Sequence, residues 1–393
     1  MRRQGSRVAS STTVAILVSN FPPASGGGGP IRSTEAMVRL AAEPERVRIV
    51  SSCFDLGSGK RLPVPQDRWL TYHGARVWYA DDRTLRGLVR GLSALSIEKP
   101  GVLYLNSLLS LRYSLVPVLL HRVVVLPHGV LVVAPRGELD PGALAVRPLR
   151  KRIYLRALRA LGTHRHVVWH ATNLDERRHI ARHFPGARVL VSPPESLLPV
   201  RSEVLTVRRA NPARMVFVGR VVPKKGLHVA LEALRDVTTP VTLDVYGPGS
   251  SPEYVEECRR IARSLPGRHT VMFGGMLPHD QVQRVLAGAG ALILPTAGEN
   301  FGHVIAEALS VGCPVYAPPT TPWTPVLNGL GTLVGDRAVS TWTRCLERHA
   351  ASGPAEHSAL VAATRSAYDD WRRSHQVESF IGLLLDLPQD STM

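Results

Sequence analysis

Cysteine is scarce in this chain of 393 residues. The four cysteines, Cys53, Cys258, Cys313 and Cys345, lie far apart and form no CxxC pair. This spacing excludes the dense pattern of a disulfide framework and the paired ligands of a zinc site. We therefore expect the protein to reside in a reducing compartment.

Long apolar runs are also absent. No stretch approaches the roughly 18 consecutive apolar residues that would indicate a membrane span. The apolar run at 14–18 is shorter than the hydrophobic region of a secretion signal, which needs roughly 7–15 residues, so we interpret it as a buried first strand. The expected location is cytoplasmic, or at the inner face of a membrane.

Acidic residues are few: 31 Asp and Glu stand against 48 Lys and Arg, which gives a formal net charge of +17. Such a charge attracts nucleic acid, an anionic membrane or an anionic substrate, and charge alone does not choose among them. The aromatic-interleaved basic strands of common RNA-binding modules are not visible in the sequence. We therefore expect no nucleic-acid partner.

Apolar, β-branched runs alternate with helical patterns through almost the whole chain, which is typical of βαβ units and a mainly parallel sheet. The strands predicted in the first half, with helices filling the gaps, are 13–19, 46–51, 75–79, 101–105, 130–134, 167–171 and 188–192. After a linker at 193–213 the strands predicted are 215–219, 241–246, 270–274, 290–295 and 313–317. This restart predicts a second doubly wound α/β domain.

The segment most specific for chemistry is 295–309, which reads PTAGENFGHVIAEAL. A predicted strand ends at Pro295, a loop of small residues follows, and a helix begins near His303. Ligands of open α/β sheets collect at the carboxyl ends of strands, and a helix start offers free N–H groups to anions. Glu299 and Glu307 could accept hydrogen bonds from hydroxyls of one extended ligand. The alternative is a loop acid near a helix dipole and an ordinary acid on a helix surface.

A second segment, 215–227, reads MVFVGRVVPKKGL. A buried strand runs into a short loop that carries Arg220 and Lys225, and Gly226 opens the next helix. A leaving diphosphate requires fixed positive charge as its own negative charge grows in the transition state. The alternative is a solvated basic loop.

Together, the two segments resemble the retaining GT-B glycosyltransferases of glycosyltransferase family 4, and the resemblance covers nearly the whole chain. Further matching segments are FPPASGGGGP at 21–30, PRGEL at 135–139, WHAT at 169–172, YGPG at 246–249 and TPW at 321–323. The resemblance implies a GT-B α/β fold, in which two doubly wound Rossmann-like domains face a central cleft. It implies an acceptor-binding domain at 1–200, a nucleotide-sugar-binding domain at 201–366, and a C-terminal helix at 367–393 that crosses back to the first domain.

The resemblance also implies roles for individual residues. Arg220 and Lys225 would hold the donor diphosphate in place of a metal, so we expect no metal and no cofactor besides the nucleoside diphosphate sugar. Glu299 would contact the transferred sugar, and Glu307 would bind the ribose hydroxyls. The other residues implied to contact the donor are Gly27 and Gly28 in a first-domain loop, Gly247, Met276 along the nucleobase, and Asn300, Phe301 and Gly302 beside the sugar and phosphates.

The first domain departs from the family pattern in two places, one of which is Pro193-Pro194 where relatives often have Asn-Gly. Many relatives carry a histidine just after the strand that corresponds to 130–134, where this chain has Pro135-Arg136-Gly137. We interpret Arg136 as binding an acceptor group or a phosphate.

The stretch 147–159 has the pattern of a basic amphipathic helix. It could lie on anionic lipid as a peripheral membrane contact, or attract a phosphorylated acceptor. The alternative is a solvated, arginine-rich face.

The resemblance thus implies transfer of a hexosyl-type sugar from a nucleoside diphosphate sugar to an acceptor hydroxyl, with retention of configuration. The acceptor would be a glycan, a lipid-linked sugar or a small molecule, in polysaccharide, lipid-linked oligosaccharide or natural-product biosynthesis. Alternatives on the same fold are a pseudo-glycosyltransferase and a sugar-nucleotide epimerase. From a different class, a basic nucleic-acid-binding protein would show steeply salt-dependent affinity and no response to nucleoside diphosphates.

Overall fold

The computed structural model describes residues 12–24, 29–55, 59–122, 129–144, 148–160, 162–203, 211–249, 251–375 and 379–388. The described chain forms two compact units. The first unit contains 12–197 together with 379–388, and the second contains 198–375. Residues 367–375, which the sequence interpretation placed in the returning segment, complete a helix of the second unit.

The sheet of the first unit is mainly parallel. Its described strands are β1 Val14–Val18, β2 Val47–Ser52, β3 Trp69–Tyr72, β4 Ala75–Ala80, β5 Val102–Leu105, β6 Val130–Val133, β7 Val168–Ala171 and β8 Arg188–Val191. Their order is β3-β4-β2-β1-β5-β6-β7-β8. All five residues of β1 are buried, as expected for a central strand that is covered on both faces. The strands predicted in this half are confirmed to within one residue at each end.

One strand of this sheet contradicts the prediction that helices fill the gaps. β3 pairs antiparallel with β4 across a turn in which His73 and Gly74 both have positive φ, at 46° and 87°. Two such residues form the type I′ turn that suits the twist of a hairpin. The aromatic, β-branched run at 69–72 followed by a glycine is the sequence signal that could have identified this hairpin.

The helices of the first unit are α1 Gly29–Arg39, α2 Leu85–Ile97, α3 Val116–Arg122, α4 Pro141–Leu144, α5 Pro148–Ala160 and α6 Leu174–His183. Side chains define where some of them begin. The Thr84 hydroxyl accepts a hydrogen bond from the Gly87 amide at 3.0 Å, and Asn173 Oδ1 accepts one from the Glu176 amide at 2.8 Å. These contacts satisfy amides that have no partner within the helix.

The second unit has a five-stranded sheet in the order β11-β10-β9-β12-β13, in which all neighbours are parallel. The strands are β9 Arg214–Val218, β10 Thr242–Tyr246, β11 Thr270–Gly275, β12 Ala291–Ile293 and β13 Val315–Tyr316. The helices are α7 Leu227–Ala233, α8 Pro252–Arg263, α9 His279–Ala287, α10 His303–Ser310, α11 Thr324–Gly329, α12 Val339–Ala350 and α13 Pro354–Ser374. The predicted second doubly wound domain is confirmed. The strand order reverses between β9 and β12, and such a switch point places the loops after the two strands side by side.

The last described helix, α14 Phe380–Leu385, belongs to the first unit. Its side chains Phe380, Ile381 and Leu384 are buried in that unit's core with residues of β1 and β2. No helix in the described part of the chain is both long and apolar enough to cross a membrane.

Candidate functional site

The loops after β9 and β12 touch at the switch point of the second unit. Gly226 has φ +75°, and a Cβ added there would lie 2.1 Å from the carbonyl oxygen of Pro295. On the other side of the contact, the Ala297 amide donates a hydrogen bond to Lys224 O at 2.7 Å. Only glycine permits this approach of two backbones without a clash.

This contact brings together two residues that the sequence interpretation placed in the site. Lys225 Nζ lies 2.5 Å from Glu299 Oε1, and the two side chains are 16% and 10% exposed. The short helical turn Pro223–Lys225 presents the lysine. The Glu299 amide donates to Thr320 O at 3.1 Å, which anchors the acid. The alternative of a solvated basic loop is wrong for Lys225, because its ammonium group is paired and largely buried.

Arg220 also lies in the loop after β9, but it differs from Lys225 in exposure and in pairing. It is exposed, and it forms no hydrogen bond or ion pair with another residue in the part of the chain that the structure describes. A cation held at the carboxyl end of a strand without an acidic partner is available to an anionic ligand.

The side chain of Trp323 packs against the loop 299–302 and binds its backbone. The Trp323 indole N–H donates to Phe301 O at 2.6 Å, and the two rings lie 5.6 Å apart. Gly302 has φ +79° and begins α10, with Asn300 half-buried beside it. Glu307 is 3% exposed on the buried face of α10, so the alternative of an ordinary surface acid is wrong for this residue.

A cavity of about 570 Å³ opens between α8 and the ends of β10 and β11, and Val221 of the loop after β9 also lines it. Gly247 and Met276, both predicted to contact substrate, line it. Gly247 has φ +137°, and a Cβ there would lie 1.9 Å from Gly219 O. The sequence interpretation missed the wall contributed by α8, where Arg259 lies 5.7 Å from the ring of Phe273. The amphipathic pattern of α8 does not reveal that residues of its first turns line a cavity.

Arg136 lies in the first unit, just after β6. Its backbone φ is +53°, its Nε donates to Asn106 Oδ1 at 2.6 Å, and its Nη2 donates to the Tyr104 hydroxyl at 2.8 Å. The neighbouring Gly137 amide donates to Glu176 Oε1 at 2.6 Å, which fixes the loop. Sequence reasoning missed Asn106 and Tyr104 because they lie in and just after β5, a different strand from the one that precedes Arg136. Gly27 and Gly28 lie outside the described residues.

The predicted basic helix is observed as α5. Leu155 and Leu158 are buried, whereas Leu149 and Ile153 are 67% and 58% exposed. The exposed arginines of this helix are Arg150, Arg152, Arg156 and Arg159. Arg147 lies outside the described residues. The helix thus presents an outer surface on which apolar and cationic side chains alternate.

Comparison with known proteins relates the second unit to a family. Residues 206–326, which lie within the second unit, match the family described as glycosyl transferases group 1. Glycogen synthase of Mycobacterium tuberculosis is 32% identical over 167 residues, which cover 41% of this chain and 35% of that protein. D-inositol 3-phosphate glycosyltransferase of Corynebacterium diphtheriae is 30% identical over 187 residues, 44% of each chain. The chain therefore spans less than half the length of these curated relatives.

Solved structures match almost the whole chain. Sucrose-phosphate synthase from Thermosynechococcus elongatus has a TM-score of 0.71 at 17% identity, covering 95% of this chain and 96% of that one. Anabaena HepE in complex with UDP and glucose has a TM-score of 0.67 at 15% identity, covering 95% and 97%. At these identities the likeness shows the fold alone. The fold is GT-B, and the predicted class, α/β with two doubly wound domains, is confirmed.

Proposed function

We propose that this chain is a retaining, family 4 glycosyltransferase that moves a hexosyl-type sugar from a nucleoside diphosphate sugar to an acceptor hydroxyl. The observation that carries the proposal is the buried Lys225–Glu299 pair at the switch point of the second unit. It lies within the segment that matches glycosyl transferases group 1. A cation and an acid in contact, at the edge where α/β sheets bind ligands, suit a molecule with a diphosphate joined to a sugar.

In this proposal Arg220 and Lys225 bind the diphosphate and stabilise its charge as the bond to the sugar breaks. Glu299 accepts a hydrogen bond from a sugar hydroxyl, so the donor replaces the Lys225–Glu299 contact with two new ones. Glu307 binds the ribose, and the backbone of Asn300, Phe301 and Gly302 lies beside the sugar and phosphates. Fixed donors in a partly desolvated site stabilise a developing anion better than water does.

The cavity of about 570 Å³ lined by Gly247 and Met276 is our proposed position for the nucleobase. Its volume lies in the usual range of small-molecule sites, roughly 300–1,000 Å³. HepE was solved with UDP and with UDP-glucose, which makes uracil the first base to test. The acceptor in our proposal is a glycan, a lipid-linked sugar or a small molecule.

We also propose a peripheral membrane contact through α5, at the cytoplasmic face of the membrane. Leu149 and Ile153 are exposed between arginines. Apolar side chains can enter the headgroup region while arginines bind anionic lipid. Binding of the chain to anionic vesicles, and its loss in a Leu149→Ser/Ile153→Ser variant, would test this contact.

Nucleotide binding tests the donor site directly. Thermal shifts with UDP, GDP, ADP and dTDP should identify one stabilising nucleotide for the wild type, because a ligand at 100 times its Kd stabilises the folded state by about 2.7 kcal/mol. Arg220→Ala should weaken binding of that nucleotide about tenfold or more, since a charge-assisted hydrogen bond contributes roughly 1.5–3 kcal/mol. Arg344→Ala, which removes an exposed arginine of α12, is the control with the same charge change.

Equal weakening of nucleotide binding in Arg220→Ala and Arg344→Ala would refute the assignment of Arg220. Release of the nucleoside diphosphate from its sugar conjugate only when an acceptor is present would distinguish transfer from epimerisation.

A further inference from the structure

The carboxyl edge of the sheet in the first unit holds a guanidinium group without an acidic partner. Arg136 has φ +53°, a conformation that non-glycine residues avoid unless the surroundings enforce it. Its side chain is half-buried and forms no ion pair with any other residue that the structure describes. Charged groups removed from water normally have a counter-ion, so this arrangement requires an explanation.

The groups that orient Arg136 are all neutral. Asn106 Oδ1 accepts from Nε at 2.6 Å, and the amide of Asn106 is itself fixed because its Nδ2 donates to Thr34 Oγ1 at 2.8 Å. The Tyr104 hydroxyl and the Met37 sulfur accept from Nη2, at 2.8 and 3.8 Å. Within the described residues, Nη1 forms no hydrogen bond. These contacts fix the plane of the guanidinium and leave its charge uncompensated.

A buried chain behind Tyr104 fixes the direction of these hydrogen bonds. Ser192 O can only accept, so His170 Nε2 donates to it at 2.9 Å. Burial lowers the pKa of His170 to about 3, so the ring is neutral and its Nδ1 must accept from the Tyr104 hydroxyl, 2.9 Å away. The Tyr104 hydroxyl therefore donates its proton to His170 Nδ1. It accepts the hydrogen bond from Arg136 Nη2 through a lone pair of its oxygen.

Glu195 interacts electrostatically with Arg136, but it does not neutralise the guanidinium. It is 4% exposed and forms no ion pair with Arg136. Its Oε1 accepts from the Phe380 amide at 2.8 Å, and its Oε2 has no hydrogen-bond partner within the described residues. Burial raises the pKa of Glu195 to about 7, against a smaller lowering by Arg136. Near neutral pH this carboxyl group therefore carries only part of a charge.

We infer that Arg136 binds an oxyanion, a phosphoryl or carboxylate group, carried by the acceptor substrate. The two N–H groups of Nη1 supply the donors, and hydrogen bonds from a guanidinium to either anion are charge-assisted. The position agrees with the binding of ligands beyond the carboxyl ends of parallel strands. That the anion belongs to the acceptor substrate rests on the proposed function, whereas the anion site itself rests on contacts within the first unit alone.

The test measures binding of soluble sugars to the full chain without a donor, by calorimetry or ligand-observed NMR. Glucose 6-phosphate or glucuronate should bind at millimolar concentration, whereas glucose should not. Arg136→Asn removes the guanidinium and tolerates positive φ, so it should weaken anion binding about tenfold or more. Arg177→Asn makes the same charge change at an exposed position of α6 and should leave binding unchanged.

Two further variants separate positioning from charge. Tyr104→Phe removes the acceptor that orients Nη2 and should weaken anion binding less than Arg136→Asn does. Arg136→Lys keeps the charge without the planar fork and should retain part of the binding, which keeps the test usable if Arg136→Asn does not fold. The preferred sugar, phosphate or uronate, identifies the oxyanion.

Failure of this inference can be distinguished from failure of the proposed function. Absence of binding of both anionic sugars to the wild type, or equal weakening in Arg177→Asn, would overturn the anion site. UDP-induced thermal shifts recorded on the same proteins should not change in Arg136→Asn. If no nucleotide stabilises any of the proteins while Arg136 still governs anion binding, the donor assignment fails and the anion site stands.

Discussion

Substitution of Gly226 by alanine tests the contact between the two loops of the donor site. Gly226 has φ +75°, and the added Cβ would lie 2.1 Å from Pro295 O, where ordinary contacts begin near 3.4 Å. The left-handed conformation costs an alanine roughly 1–2 kcal/mol. Relief of the clash requires backbone movement of more than 1 Å, and overpacking of this kind typically costs about 1–3 kcal/mol. We therefore expect Gly226→Ala to destabilise the second unit by about 2–5 kcal/mol.

Gly331→Ala is the matched control. Gly331 has φ +68°, and nothing lies within 4 Å of the position of its Cβ. Gly331→Ala should therefore lower the free energy of unfolding only by the cost of the left-handed conformation, roughly 1–2 kcal/mol. The difference between the two variants isolates the contact with Pro295 O.

Urea denaturation measures both free energies, and UDP titration measures the site. Because movement of the loop displaces Lys225 from Glu299, nucleotide affinity should fall about tenfold or more in Gly226→Ala and remain unchanged in Gly331→Ala. Equal destabilisation by the two substitutions would refute the reasoning, since it would mean that the two loops do not touch.

Two remaining predictions concern stability. Burial raises the pKa of Glu195 from 4.5 to about 7. The folded state therefore binds the proton more tightly than the unfolded state does, and this stabilises the fold below pH 4.5 by up to about 3 kcal/mol. The contribution is lost as the pH rises through 7. Glu195→Gln should remove this loss in urea titrations at several pH values; an unchanged pH profile would contradict it. Trp323→Phe removes the hydrogen bond to Phe301 O and should cost about 1–3 kcal/mol in the same assay. A cost near zero would mean that this bond does not hold the loop.

The described strands other than β3, and their order along the chain, were predictable from local patterns. A buried parallel strand is an almost continuous apolar run, as in 14–18, so its ends can be located from composition alone. The loop after β12 and the basic loop after β9, which the structure places in contact, were also predicted from the sequence to bind one ligand. Their residue types, small residues with acids in one and paired cations in the other, are visible without coordinates.

The hairpin at β3 and β4 marks the limit of such patterns. Four residues at 69–72 are too few for periodicity to separate a strand from part of a helix. The pairing also depends on positive φ at His73 as well as at Gly74, and a histidine does not reveal that conformation in advance.

Contacts between residues distant in the chain were decided by the tertiary structure alone. Lys225 and Glu299 are 74 positions apart, and the family resemblance assigned one to the diphosphate and the other to the sugar, whereas the fold places them in contact. Arg136 is oriented by Tyr104, which lies in β5, and by Asn106, which follows that strand. Local patterns report which face of an element is apolar. They do not report which loops meet at a sheet edge, because that depends on strand order and on packing that only the assembled fold supplies.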